Sequence, residues 1–286
     1  MRIIMTGATG QLGRALIRQR PAGTEITTIS SSDLNLADAR AVLAAVTTAQ
    51  PDMILHCGAM TDVDGCERLP EAAYRANALA TQNVAAAAQG IGAALVYIST
   101  NYVFDGEADH PYNEFADPRP LSVYGHTKLA GERAVRALCP RHYIVRTAML
   151  YDETGRNFVN TMLRLAHQQP ELAVVEDQVG NPTYAGDLAA AVWRLVQLPA
   201  FGTYHLVNEG VTSWHGWATE IMRLAGRATP VRPIPSSAFQ RAARPPRNGA
   251  LVNTAAAAMG IALPPWPDAL ARCLAARPAD TFDEMV

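Results

Sequence analysis

Tyr124 and Lys128 are the residues whose types and spacing most directly suggest chemistry. They stand four apart in Tyr124-Gly125-His126-Thr127-Lys128, at the start of a proline-free stretch of helical composition, 124–138. A helix sets both on one face. A phenol ionises near pH ~10 and is a sluggish proton donor at neutrality. An adjacent ammonium stabilises the phenolate and lowers that value. The pair is then a general acid or base for interconverting a carbonyl and an alcohol. A half-buried tyrosine beside a solvated lysine has the same spacing, so the chemistry also needs a cofactor. Just upstream, the apolar run Leu95-Val96-Tyr97-Ile98 ends in Ser99 and Thr100, the pattern of a buried parallel strand.

The N-terminus supplies a cofactor site. Arg2-Ile3-Ile4-Met5-Thr6 reads as a strand, Gly7-Ala8-Thr9-Gly10-Gln11-Leu12-Gly13 as a turn, and residues 14–20 as a helix. Strand, G-x-x-G-x-x-G turn and helix start are the context of a dinucleotide-binding fingerprint. Gly7 suits the sharp turn, Gly10 lets backbone approach a pyrophosphate, and Gly13 allows close helix–strand packing. Amide groups at the helix start face the phosphates. The second strand, 25–30, ends in Ser30-Ser31-Ser32. An NAD-preferring site usually places an acid there; a small neutral end leaves room for a 2′-phosphate.

Further strands are expected at 52–56, 95–100 and 143–146, separated by helices from Asp33 to Thr48 and from Pro70 to Gly90. This alternation implies an α/β fold with a doubly wound parallel Rossmann sheet. The ligand crevice falls at the strands' C-terminal ends, where Gly7, Ala59 and Thr100 lie. After Leu150 the pattern loosens into helices at 157–167, 187–198, 214–224 and 267–276, short strands at 173–175 and 204–207, and a Pro- and Arg-rich segment at 229–248. The expected division is an NAD(P)-binding domain at 1–150, to which later segments return, and a smaller, discontinuous substrate lobe within 151–286. The arginines Arg232, Arg241, Arg244 and Arg247 are candidates to grip a diphosphate, or simply form a solvated basic loop.

Composition bounds the rest. The chain has 286 residues, 49% hydrophobic and 17% charged, enough for one or two lobes with a sizeable core. A net charge of −2 leaves no nucleic-acid footprint. No apolar run is long enough to span a membrane, and a strand beginning at Arg2 leaves no room for a secretory signal, so a cytoplasmic location is expected. Cys57, Cys66, Cys139 and Cys273 form no C-x-x-C pair or metal pattern and read as free thiols. His126 is expected to face solvent.

Several stretches together carry a resemblance. Ser99-Thr100-Asn101-Tyr102-Val103-Phe104-Asp105-Gly106, Tyr124 through Glu132, Asn157-Phe158 with Met162-Leu163, and Asp177-Gln178-x-Gly180-x-Pro182-Thr183 closely resemble the dTDP-4-dehydrorhamnose reductase family of extended short-chain dehydrogenase/reductases. The similarity runs through nearly the whole chain, including Thr61-x-Val63-Asp64-x-x-Glu67. It implies reduction of a nucleotide-linked 4-keto-6-deoxyhexose with NADPH, or with NADH. On matching positions Tyr124 would protonate the nascent alkoxide, Lys128 would tune it and hold the nicotinamide ribose, and Thr100 would hydrogen-bond the keto oxygen. Gly10, Gln11 and Leu12 would hold the pyrophosphate, Asn35 and Leu36 the adenine, with Ser30 beside its ribose. Ala59, Met60 and Thr61 would hold the cofactor's far end. Substrate contacts fall on Thr100, Asn101, Tyr102, Met149 and Asn157. A homodimer is one of the oligomeric states left open.

Three departures stand out. The family usually has Asp at the positions of Asn101 and Asn35, and commonly Trp at that of Met149, against the sugar; Trp214 is a candidate to fill the space. A 4,6-dehydratase needs an acid pair after the threonine, and Asn101-Tyr102 supplies none. An epimerase, or a nucleotide-binding regulatory subunit that keeps Tyr-x-x-x-Lys, remains as an alternative.

Overall fold

The computed structural model describes residues 1–278; residues 279–286, the end of the expected substrate lobe, lie outside them. Apolar and β-branched runs become the strands β1 (Arg2–Thr6), β2 (Glu25–Ile29), β3 (Met53–His56), β4 (Ala94–Thr100) and β5 (His142–Thr147). With a sixth strand, Gly202–His205, they form one parallel sheet ordered Gly202–His205, β5, β4, β3, β1, β2. In it Thr100 sits opposite Thr147. The helices between the first five strands are α1 (Gln11–Arg18), α2 (Ala39–Ala49), α3 (Val63–Arg68), α4 (Pro70–Tyr74), α5 (Ala80–Gly90) and α6 (Val123–Leu138).

Each face of the sheet is buried under helices. Leu12, Ala15 and Leu16 of α1 join Leu188 and Val192 of helix Ala185–Leu195 over one face. Val42 and Val46 of α2, Val84 and Ala88 of α5 and Val135 of α6 cover the other. This is the doubly wound parallel architecture the alternation implied, and β1 and β3 flank the point where the winding direction reverses. A further core lies beyond it, where helices Phe158–Gln168, Trp214–Leu224 and Trp266–Ala275 bury Val159, Leu163, Trp217, Ile221 and Leu270. Strands Leu172–Val175 and Val231–Ile234 pair in parallel beside them. Among the described residues, no helix is long and apolar enough to cross a membrane. The four cysteines are unpaired, and His126 is exposed.

Two elements differ from the sequence pattern. The helix expected from Asp33 starts only at Ala39. Asn35 first folds its side chain back to Ala37 N, and Asp38 then accepts from Arg40 N and Ala41 N as an N-cap. The helix expected over Pro70–Gly90 runs through, but residues Arg75–Leu79 form a π-turn between α4 and α5. That extra residue in the helical winding turns Asn77 fully inward.

Candidate functional site

The groove begins at the Gly7 turn. Gly7 has φ +70°, and a Cβ there would lie 2.6 Å from Gly58 N. A Cβ on Gly13 would lie 2.2 Å from the Gly7 carbonyl oxygen. Only glycine fits either position, and both bring α1 tight against the ends of β1 and β3. Gly10 is the N-cap of α1 and offers no side-chain oxygen to its first amides. Gln11 Oε1 is buried without a partner. Uncapped amides, a glycine floor and an orphan polar atom together fit a dinucleotide's pyrophosphate. Leu12 lends backbone only, since its side chain is in the core.

Two cavities open from this turn and share Gly7, Thr9, Gly58 and Ala59. One, of about 930 Å³, is lined by Ser30, Asn35, Leu36, Ala59 and Met60, and also by Arg75 of the π-turn. The other, of about 720 Å³, is lined by Gly10, Gln11, Thr61, Thr100, Asn101, Tyr102, Tyr124, Lys128, Met149 and Asn157. The structure thus gathers these candidate residues along one continuous groove, though not the four arginines of the 229–248 segment.

Ser122 caps α6 by accepting from Gly125 N, so the helix starts at Val123 and carries Tyr124 and Lys128 on its inner face. Tyr124 is 9% and Lys128 2% exposed. Burial raises the Tyr124 phenol above its ordinary value, partly offset by the Thr100 hydroxyl. The expected lowering by an adjacent ammonium is therefore not found, because desolvation dominates. Burial likewise pulls Lys128 down to about 7 against the pull of Glu132 and Cys57. Its Nζ sits 4.1 Å over the Tyr97 ring. Thr100 Oγ1 accepts from Tyr102 N and donates to Asn101 Oδ1, whose Nδ2 donates to Gly249 O. Tyr102 packs edge-on against Tyr124, ring centroids 5.4 Å apart.

Other parts of the site were not singled out from sequence. Glu132, one turn after Lys128, is fully buried and accepts from Ser99 Oγ (2.6 Å), Arg146 Nε (2.8 Å) and Arg146 Nη2 (2.7 Å). Burial alone would raise its pKa; the Arg146 hydrogen bonds and charge hold it below the usual range. Its position eight residues after Tyr124 was the available signal. Asn77 Oδ1 accepts from Met60 N, and its Nδ2 donates to Met60 O and Thr127 Oγ1. It pins the loop after β3 to α6, and only its poor helix propensity marked it. At the end of β2, Asp33 accepts from Ser30 N (2.9 Å) and Ser30 Oγ (2.6 Å). That strand end is therefore not carboxylate-free.

At the far end Met149 takes a left-handed backbone, φ +46°, with its sulfur beside Gly180. Phe158, Trp214 and Trp217 form an aromatic wall there, with ring centroids 4.7–5.6 Å apart. Asn157 caps helix Phe158–Gln168 and also donates to Asp152 O. The four arginines do not cluster on the groove: Arg232 pairs with Glu171 and Arg241 with Asp64, while Arg244 and Arg247 are exposed.

The family described as RmlD substrate binding domain matches residues 1–278. The chain belongs to that family. It is 38% identical to the spore coat polysaccharide biosynthesis protein SpsK of Bacillus subtilis, over 96% of this chain and 98% of that protein. The crystal structure of a dTDP-4-dehydrorhamnose reductase ortholog from Clostridium acetobutylicum superposes with a TM-score of 0.93 at 41% identity, covering 96% of this chain and 99% of that one. A dTDP-4-dehydrorhamnose reductase from Bacillus anthracis, solved in complex with NADP, gives a TM-score of 0.93 at 38% identity, covering 96% and 98%.

Proposed function

We propose that this protein reduces a nucleotide-linked 4-keto-6-deoxyhexose with NAD(P)H, the reaction of the dTDP-4-dehydrorhamnose reductases, and that NADPH is its main cofactor. The observation that carries this reading is the convergence of Thr100, Tyr124 and Lys128 on one cavity continuous with the glycine cradle. A reduced nicotinamide bound there supplies hydride to a carbonyl carbon. Tyr124, placed by the Ser122 cap, gives its proton to the developing alkoxide. Thr100 turns its hydroxyl proton from Asn101 Oδ1 to the same oxygen, which stabilises the charge forming on it. Lys128 holds the cofactor ribose and, when protonated, eases proton loss from the phenol. Gly7, Gly10, Gln11, Leu12 and Gly13 take the pyrophosphate; Ser30, Asn35 and Leu36 take the adenosine end, and Ala59, Met60 and Thr61 the middle.

In this division the sheet and its helices, residues 1–150 with the returning 185–205, hold the cofactor. The rest of 151–278 meets the sugar nucleotide through Asn157 and the aromatic wall, with Asn101, Tyr102 and Met149 facing it from the cofactor-holding part. Trp214 provides the flat face that the family usually draws from position 149. A cytoplasmic location fits a reaction that consumes reduced cofactor.

The test is NADPH oxidation across a panel of nucleotide-linked 4-keto-6-deoxyhexoses, beginning with dTDP-4-dehydrorhamnose. Stoichiometric oxidation with a 4-hydroxy product supports the reductase. Substrate conversion without net oxidation identifies an epimerase, and cofactor binding without turnover of any sugar identifies a regulatory subunit.

A further inference from the structure

The Pro- and Arg-rich segment reaches the substrate cavity at Pro245 and Pro246, and its attachments are uneven. Just after its strand Val231–Ile234, Ser236 donates through N and Oγ to Asp177, both at 2.8 Å. At its end the backbone is stapled: Val179 N donates to Arg247 O, Asn248 N to Gly106 O, and Gly249 N to Val179 O. Between these anchors Pro245 and Pro246 line the cavity. Residues 239–245 are tied to the cofactor side through one carboxylate, Asp64 on α3. Its Oδ1 accepts from Ala243 N at 2.8 Å and from Arg241 Nε at 3.1 Å.

Asp64 has consequences at the reacting centre. The Arg241 guanidinium also faces the Tyr102 hydroxyl, and the Tyr102 ring packs edge-on against Tyr124. On the same helix, Glu67 accepts from Val123 N at 2.8 Å, the residue before Tyr124. The short helix α3 therefore fixes the cavity's cover with one carboxylate and the start of the tyrosine's helix with the other. Asp64 and Arg241 are 29% and 26% exposed in their side chains. A solvent-accessible ion pair of this kind contributes little to global stability, whereas two bonds on one oxygen fix a strap's position well.

We propose that Asp64 and Arg241 are positioning residues that latch the 239–245 strap over the substrate cavity, so that the latch governs sugar-nucleotide affinity and leaves cofactor affinity alone. This rests on the reductase reading above. The nearest cofactor contacts of α3's neighbourhood come through Thr61 and Met60, and Met60 is held independently by Asn77. A loosened strap must be reordered each time substrate binds, and that entropy cost appears in the substrate's KM.

The experiment compares wild type with Asp64→Ala, Asp64→Asn and Arg241→Lys, using dTDP-4-dehydrorhamnose and NADPH. For Asp64→Ala the sugar-nucleotide KM should rise about tenfold, with the NADPH KM within about twofold of wild type. Asp64→Asn keeps an acceptor for Ala243 N and should recover part of that loss. Tryptic cleavage at the Arg241–Ala242 bond, followed on the NADPH-saturated Asp64 variants, should accelerate by a similar factor and needs no turnover. An unchanged sugar KM with unchanged cleavage overturns the latch, as does an NADPH KM that rises as far as the sugar KM. Failure of wild type itself to reduce the sugar overturns the reductase reading instead, and the cleavage rates still decide the latch.

Discussion

The two ends of the groove are built on opposite electrostatic plans. At the Tyr124 end Lys128, Glu132 and Arg146 are all within 2% of full burial, and Glu132 meets Ser99 and the Nε–Nη2 edge of Arg146. At the Ser30 end Ser30 and Asp33 are exposed, and their bonds stay within a four-residue turn. Buried charges interact through a medium of low polarisability, while exposed ones are screened by water and salt. The same chemical step, removal of one charge or hydroxyl, should therefore cost far more at one end than at the other.

The steepest test is Tyr124→Phe, which removes the phenolic proton but keeps the ring against Tyr102. Turnover should fall about 10²- to 10⁴-fold with cofactor affinity nearly unchanged, measured by steady-state NADPH oxidation; turnover near wild type removes Tyr124 from its role. Next comes Glu132→Ala, which strands Arg146 at 1% exposure without its carboxylate. Denaturant unfolding should show a loss of about 3–5 kcal/mol. A loss under about 1 kcal/mol would place the reacting end on the same footing as the surface.

Protonation gives a third test. Lys128 titrates in the fold near 7 and in the unfolded chain near the ordinary lysine value of 10.5. Between those values the unfolded state binds more protons, so this residue makes stability rise with pH across that window and costs it most below 7. Thermal melts of wild type and Lys128→Met from pH 6.5 to 9 should show that rise in wild type and a flatter profile in the variant. The smallest effect is expected at the exposed end. Asp33→Asn removes a carboxylate beside Ser30, where the proposed reading puts the adenosine ribose, and should raise the NADPH-over-NADH specificity ratio about two- to fivefold at low salt, fading as salt rises. An effect as large as that of Tyr124→Phe would erase the contrast between the ends.

What the sequence made legible follows the range of the forces involved. The start of α6 was readable to within one residue, because Ser122 and the 3.6-residue period act locally. The Gly7-to-Gly13 turn was equally plain, since its glycines answer to contacts a few residues away. Asp33 was hidden because its bonding partner was known but the fold-back of the turn was not. The Glu132–Arg146 pair joins α6 to β5, and Asp64 meets residues nearly two hundred positions later. Such pairings depend on tertiary arrangement, which no window of sequence contains. Strand Gly202–His205 shows the same limit: the apolar run at 204–207 marked a strand that in fact starts two residues earlier, and its place beside β5 was not visible.

That sixth strand also bears on how the protein is made. β5 ends at Thr147, but the strand that completes its outer edge spans Gly202–His205. At roughly 5–20 residues per second, a ribosome leaves the β5 edge unpaired for about 3–12 seconds. During that time Tyr143, Ile144 and Val145, all buried in the finished protein, present open backbone groups to other nascent chains. The unpaired β5 edge is therefore a point of misassembly during synthesis, and slowing translation between codons 148 and 202 should lower the protein's soluble yield.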